Sequence, residues 1–263
     1  MRTGVPVLTV RIAILVSILL FSSAQLWATT SINHNKISAE QLLARIQQRF
    51  NPGESAEIIH NVQTNFYQKA LIASLNRTQT GRGTMIMMFD HSNGNGTNSS
   101  TLFHWSYTVP SKQEVICDGK TLWVYQPDNS QVMVSAVNDK SYYSEDPLLF
   151  LRNLGQLSSH FSVSMGKQGD TNAAGYQLIL VPQQPSVYIK SLLLQVPQWL
   201  GDNPQQQGFP ISSATIIDPS DNRTSIEFRQ IKINQKIDHS QFKFAVPTGV
   251  DVVHPSDLTL DFK

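Results

Sequence analysis

The chain has 263 residues, 40% of them hydrophobic and only 15% charged, with a formal net charge of +1. That is enough apolar material for one full core or two small ones, and the near-neutral balance excludes the concentrated basic face that nucleic-acid binding needs. A single cysteine, Cys117, excludes an internal disulfide framework and any multi-thiolate metal site.

Residues 1–28 read as a secretory signal peptide. Arg2 and Arg11 lie on the amino side of the apolar run Ile12 to Phe21, and Ser22-Ser23-Ala24 or Leu26-Trp27-Ala28 offers a small residue at the cut. The run is shorter than the about twenty residues of a spanning helix; an uncleaved anchor is the alternative. No cysteine follows closely to carry a lipid, so the expected mature product is one soluble exported domain, residues 29–263. Ser38 opens a first helix, with Gln41 placed to complete a capping box. Leu42, Leu43, Ile46 and Phe50 share one face of it, and Asn51-Pro52-Gly53 stops it. A short helix or turn is expected over Glu54 to His60.

From Val62 the period changes to two. Strands are expected at Val62–Leu75 and Gly83–Phe89, flanking a polar Asn76–Gly81 segment. The second reads Met85-Ile86-Met87-Met88-Phe89. Methionine is flexible and polarisable, so these residues suit either a surface that adapts to apolar ligands or an irregular core. His91 to Thr101 has no apolar residue and reads as a loop.

Leu102 to Val132 is a meander. Phe103, Trp105 and Tyr107 alternate with Leu102, His104 and Ser106, which puts an aromatic row on one face of an antiparallel sheet. Asp118-Gly119 predicts a type I′ hairpin, and a further strand, Lys120 to Tyr125, follows before the Gln126–Asn129 turn. Such an aromatic meander builds either an ordinary core or the wall of an apolar cavity. Cys117 falls inside a strand, as a small buried hydrophobe.

Asp146-Pro147 predicts a second helix, cap followed by Pro, running through Leu148, Leu149, Leu151 and Leu154 to Gly155. Strands follow at Phe161–Met165, Tyr176–Val181, Ile189–Val196, Ile211–Asp218 and Thr224–Ile233. Pro197 to Pro210 reads as a loop, and Asp251 to Lys263 as a tail. Many short strands with two separate helices predict one curved antiparallel sheet with the helices covering its concave face.

Catalytic and metal signatures are missing. There is no Gly-rich phosphate loop, G-x-S-x-G, H-E-x-x-H or C-x-x-C, and the seven histidines are scattered. The sequence therefore predicts a binding protein with no cofactor, not an enzyme.

The order of Gly81-Arg82-Gly83, Leu102-Phe103-His104-Trp105, Asp118-Gly119-Lys120-Thr121-Leu122-Trp123, Tyr125-Gln126-Pro127, Asp146-Pro147-Leu148-Leu149 and Phe242-Lys243-Phe244-Ala245-Val246-Pro247-Thr248-Gly249-Val250 resembles the LolA family. Those are periplasmic carriers that move lipoproteins from the inner to the outer membrane of Gram-negative bacteria. The resemblance covers roughly Ser38 to Val252. It implies an α+β, mainly β fold: an incomplete antiparallel β-barrel with a helical lid and an apolar cavity between. It implies a monomer in the periplasm whose partners are acylated lipoproteins, an inner-membrane lipoprotein-releasing ABC transporter and an outer-membrane lipoprotein receptor. Leu42, Leu43, Ile46, Met85, Met87, Phe89, Phe103, Trp105, Leu148, Leu149 and Leu151 are then the expected cavity and lid residues. An envelope lipid- or lipoprotein-sensing regulator on the same fold is the alternative, and an exported enzyme of another kind is a third reading.

One departure stands out. Family members commonly carry Arg-Pro shortly before Leu-Phe-x-Trp, and that arginine closes the lid by hydrogen bonding. Here Phe89-Asp90 and the 91–101 loop take its place, so no arginine carries over; either the lock is missing and the open form gains, or a substitute donor replaces it, and Arg45 of the first helix is the expected substitute lock.

Overall fold

The computed structural model describes residues 37–51, 58–89, 101–137, 147–166 and 175–254, with the side chains of the 147–166 stretch described from Phe150 onward. The expected signal peptide, the Glu54–Glu57 part of the expected turn and residues 91–100 of the expected loop lie outside these residues.

Chain order is α1 (Ala39–Gln48), β1 (Asn61–Ile72), β2 (Arg77–Met88), β3 (Leu102–Val109), β4 (Gln113–Cys117), β5 (Thr121–Gln126) and β6 (Gln131–Ala136). A 3-10 segment (Pro147–Gln156), α2 (Leu157–His160), β7 (Phe161–Met165), β8 (Tyr176–Pro182), β9 (Ser191–Val196), α3 (Gln198–Asp202), β10 (Ser213–Ile217), β11 (Arg223–Ile233) and β12 (Asp251–Val253) follow. The strands form one 12-stranded sheet ordered β12-β6-β5-β4-β3-β2-β1-β11-β10-β9-β8-β7. It is open and strongly curved, with an edge at β7 and another at β12.

Several local expectations need correction. The Asn76–Gly81 segment is not a break: β2 already starts at Arg77 and pairs with β1 from Ile72↔Arg77 onward. The reversal is compressed into Ala73–Asn76, because Asn76 takes the left-handed conformation (φ 45°) that asparagine tolerates. At Asp118-Gly119, only Gly119 has positive φ (90°), so glycine fills the first central position, as in a type II′ turn and not a type I′ turn. The Asp118 carboxylate fixes this turn by accepting from the backbone N–H groups of Lys120 (2.9 Å) and Thr121 (2.7 Å).

The second helix is of 3-10 type, with a break at Asn153 (φ −120°, ψ 33°) before α2. Its leucines at 148, 151, 154 and 157 recur every third residue, the period of a 3-10 turn. Asp251–Val253 is not tail but a strand, and it pairs with β6 in parallel, the one such pair in the described sheet. The chain reaches it across the convex face. Phe242, Ile116 and Val132 are buried there, apart from the main core, and the Phe244 ring lies 5.3 Å from that of Tyr125.

The main core is on the concave face. The antiparallel registers align side chains into rows that run across the strands. One row is Val62, Met87, Phe103, Cys117 and Leu122; the next is Thr64, Met85, Trp105, Val115 and Val124. Leu178, Leu180, Leu192, Leu194 and Val196 of β8 and β9 join the same cluster from the other flank. The described residues from Ile37 onward make one compact unit around it.

Candidate functional site

α1 lies across this apolar face. Ser38 caps it with the capping box read from the sequence, its hydroxyl accepting from the Gln41 N–H and the Gln41 side chain accepting from the Ser38 N–H. Leu42 and Ile46 are 0% exposed and Leu43 2%, all within the main core cluster. Met85, Met87, Phe89, Phe103 and Trp105 are buried in that cluster too, so the strand residues and the lid residues singled out in the sequence meet in one interior. Leu151 of the 3-10 segment joins them, with Phe150 and Leu154 beside it. The side chains of Leu148 and Leu149 lie outside the described residues.

Aromatic contacts tie the parts together. Phe66 sits 4.8 Å from Trp105 and 4.8 Å from Tyr107, and Tyr107 donates its hydroxyl hydrogen to Gln68 Oε1 at 2.8 Å. At the carboxyl end of α1, Phe50 meets Phe89 edge-on at 4.9 Å and Phe209 at 6.2 Å. Phe89 thus fills, with an aromatic contact, the place where the resemblance puts an arginine.

α1 is held elsewhere, from its own polar side. Arg45 Nη1 donates to the carbonyl oxygens of Leu200 (2.9 Å) and Gly201 (2.6 Å) in α3. Arg49, only 3% exposed, donates from Nη2 to the carbonyls of Pro204 (2.5 Å) and Gln206 (2.8 Å), and its guanidinium lies 5.4 Å from the Trp199 ring centroid. Both arginines therefore clasp α1 to one strap, residues 198–206. The strap is fixed to the sheet in turn: Tyr176 of β8 donates to Asp202 Oδ1 at 2.6 Å, which holds the phenol above its ordinary range. Gly201 packs directly against the Tyr176 ring, leaving no room for a side chain.

Arg49 and the strap were not anticipated. Two signals point to them in retrospect. Arg45 and Arg49 stand four apart on one helix flank, and Trp199-Leu200 interrupts an otherwise polar Pro/Gln/Gly stretch.

The sequence profile of the family described as "Outer membrane lipoprotein carrier protein LolA" matches residues 57–245, well over half of the chain. The chain belongs to the LolA family. Among relatives, the outer-membrane lipoprotein carrier protein of Azotobacter vinelandii is 28% identical over 152 residues, covering 58% of this chain and 66% of that protein. Its counterpart in Chromohalobacter salexigens is 30% identical over 151 residues, 57% of this chain and 65% of that one. The carrier protein of Neisseria meningitidis serogroup C is 26% identical over 182 residues, 69% and 76% respectively. The chain thus spans just under two thirds of the length of the first two relatives. Among solved structures, a LolA superfamily protein from Nitrosomonas europaea superposes with a TM-score of 0.38 at 12% identity, covering 79% of this chain and 98% of that one.

Two further groups of this LolA-family chain define what its surfaces do chemically. On the convex face, His104 Nε2 meets Glu114 Oε2 at 2.6 Å, and the Ser106 hydroxyl donates to Glu114 Oε1 at 2.8 Å. Serine and histidine share one carboxylate, so no imidazole polarises the hydroxyl, and the trio works as a cross-strand tie. Cys117, 0% exposed, has its thiol pushed up by burial, which keeps it a neutral part of the LolA-family wall.

Proposed function

We propose that the protein is a periplasmic carrier that takes up the acyl chains of lipoproteins released from the inner membrane and delivers them to an outer-membrane receptor. The supporting observation is the lid. α1 completes a largely apolar interior, and its polar ties run from Arg45 and Arg49 to backbone carbonyls of one strap and from the Ser158 N–H to Gln47 Oε1 at 2.9 Å. The names of the relatives favour a carrier over an envelope sensor or an enzyme.

The physics of the cargo demands such an interior. At about 0.8 kcal/mol per buried methylene, three acyl chains left in water cost some tens of kcal/mol. A soluble carrier must shelter them and must also let them go. Leu42, Leu43, Ile46 and Leu151 on the lid side, with Met85, Met87, Phe89, Phe103 and Trp105 on the sheet, are the residues proposed to exchange their mutual contacts for contacts with acyl chains. Leu148 and Leu149 belong to the same cover in this reading. Arg45 and Arg49 act as the lock, opening the lid on loading and re-forming when the cargo leaves. The proposal includes removal of residues 1–28, a single working domain from 29 to 263, and action as a monomer. It also includes partners of two kinds, a lipoprotein-releasing ABC transporter and an outer-membrane lipoprotein receptor.

The test is direct binding. Purified protein lacking residues 1–28 is titrated with a fluorescent triacylated lipopeptide, and tryptophan quenching reports entry beside Trp105. Saturable one-to-one binding, competed by unlabelled lipopeptide but not by its deacylated form, is expected. Equal competition by both forms, or no saturation, would overturn the carrier reading.

A further inference from the structure

The outside of the molecule carries an apolar surface that the carrier reading leaves unused. Three hairpin connections emerge side by side at one end of the sheet: β1–β2 at Ala73–Asn76, β10–β11 at Asp218–Asn222, and β8–β9 at Gln183–Lys190. They are tied to one another. Asn222 Oδ1 accepts from the Ala73 N–H at 2.9 Å, the Lys190 N–H donates to the Ile217 carbonyl at 2.8 Å, and Lys190 Nζ pairs with Asp221 at 2.7 Å. Each tip lies two strand spacings from the next, so the row runs about 20 Å along the sheet.

Large apolar side chains stand at the two outer tips. Leu75 is 67% exposed, Val187 77% and Tyr188 38%. The backbone presents them deliberately. The 3-10 turn ahead of Asn76 closes with the Asn76 N–H on the Ala73 carbonyl (3.2 Å), leaving Leu75 at its crest. The Ser186 hydroxyl accepts from the N–H groups of Tyr188 (3.2 Å) and Ile189 (3.1 Å), a local turn with Val187 at its apex.

The charges around these tips are not balanced. Lys69, Arg77, Lys190 and Arg223 are all exposed at this end. The carboxylates at the β10–β11 turn are engaged: Asp218 accepts from the Ser220 and Asn222 N–H groups and from Asn222 Nδ2, and Asp221 is held below the usual carboxylate range by Lys190. Isolated exposed apolar residues are ordinary. Here they crown adjacent, braced tips within a cluster of cations, on a chain whose whole net charge is only +1.

We propose that this hairpin end is a docking surface for an anionic lipid bilayer. Leu75 and Val187 enter the boundary between headgroups and acyl chains, Tyr188 sits at headgroup level, and the flanking cations face anionic headgroups. The surface lies on the hairpin ends of the sheet, away from the concave interior, and so is a site in addition to the cargo site. It gives the protein a way to rest reversibly on a membrane with its lid free.

Flotation with lipid-only vesicles tests this. The protein lacking residues 1–28 should float with phosphatidylglycerol-containing vesicles and much less with pure phosphatidylcholine, and added salt should release it. Leu75→Glu with Val187→Glu should cut anionic-vesicle binding at least tenfold. Arg77→Gln with Arg223→Gln should cut it by about twenty-five-fold, about fivefold for each cation near the surface, and flatten the salt dependence. Lipopeptide titration of the same variants should match the parent, which separates this surface from the cargo site. The proposal is overturned if the parent fails to float with anionic vesicles, if both double variants float like the parent, or if binding requires membrane fragments that contain protein. Failure of lipopeptide binding in the parent would remove the carrier reading and leave the flotation result standing.

Discussion

Gly83 and Gly81 occupy the same short motif and do different work. A Cβ on Gly83 would lie 1.9 Å from the Ser106 carbonyl oxygen of the neighbouring strand, at the place where the β2–β3 register shifts. A Cβ on Gly81 would meet only ordinary contacts, at 3.4 Å from the Tyr107 ring and the Val109 carbonyl. Gly83→Ala should therefore cost about 3 kcal/mol, the upper range for forcing atoms into a packed site, while Gly81→Ala should stay below about 1 kcal/mol. Urea midpoints of the two variants check this, and equal midpoints would remove the close approach from the account. The Gly-x-Gly spacing was legible in the sequence. Which glycine carries the constraint was not, because the clash comes from a strand more than twenty residues away.

At the scale of elements, α1 and the strap form one latch with two arginine contacts. Arg49→Leu removes both carbonyl bonds and the stacking on Trp199 from a nearly buried site. Bonds from a charged donor are worth roughly 1.5–3 kcal/mol each, so the open lid should gain at least about tenfold in population. Amide hydrogen exchange over Ala39–Gln48 should quicken accordingly, and bound lipopeptide should leave faster. Arg49→Lys should not fully restore the parent, since an ammonium has no plane to lay over the Trp199 indole. Unchanged exchange in Arg49→Leu would remove the Arg49 contacts from the latch. α1 was readable because cap, period and stop signal all agree over ten residues. α3, five residues long, has no such repetition; it is helical because Trp199 and Leu200 find the core and because Arg45 meets its last carbonyls. The 3-10 character of the second helix was not legible for a related reason: closely spaced leucines in a ten-residue segment satisfy a 3.6 period and a 3.0 period almost equally well.

Across the whole molecule, the meander was predictable in order and in facing, since alternation fixes which side chains share a side and the turns fix where the strands end. β12 was not, because three residues of Asp-Val-Val carry no period; only the arrival of the C-terminal segment at β6 makes them a strand. Cys117, in the middle of the concave wall, offers a probe of how often that whole sheet comes apart. Burial raises its pKa, so the neutral thiol is favoured in the folded state. The stability this contributes is complete below the thiol pKa of the unfolded chain and is lost as pH rises toward the folded one. Labelling by a disulfide reagent at pH 8 should be orders of magnitude slower in the native protein than in denaturant, and Gly83→Ala should quicken it. Rapid native labelling would show the wall to be accessible without unfolding.

The two unjoined edges, β7 and β12, have a mechanical consequence. A closed barrel has its radius set by strand number and stagger, and widening it means tearing a ladder. A sheet rolled up but left unsealed behaves like a split ring. Its curl can relax or tighten through small twists at every strand, with each backbone hydrogen bond kept, so the width of the hollow becomes a soft coordinate that whatever lies inside can set.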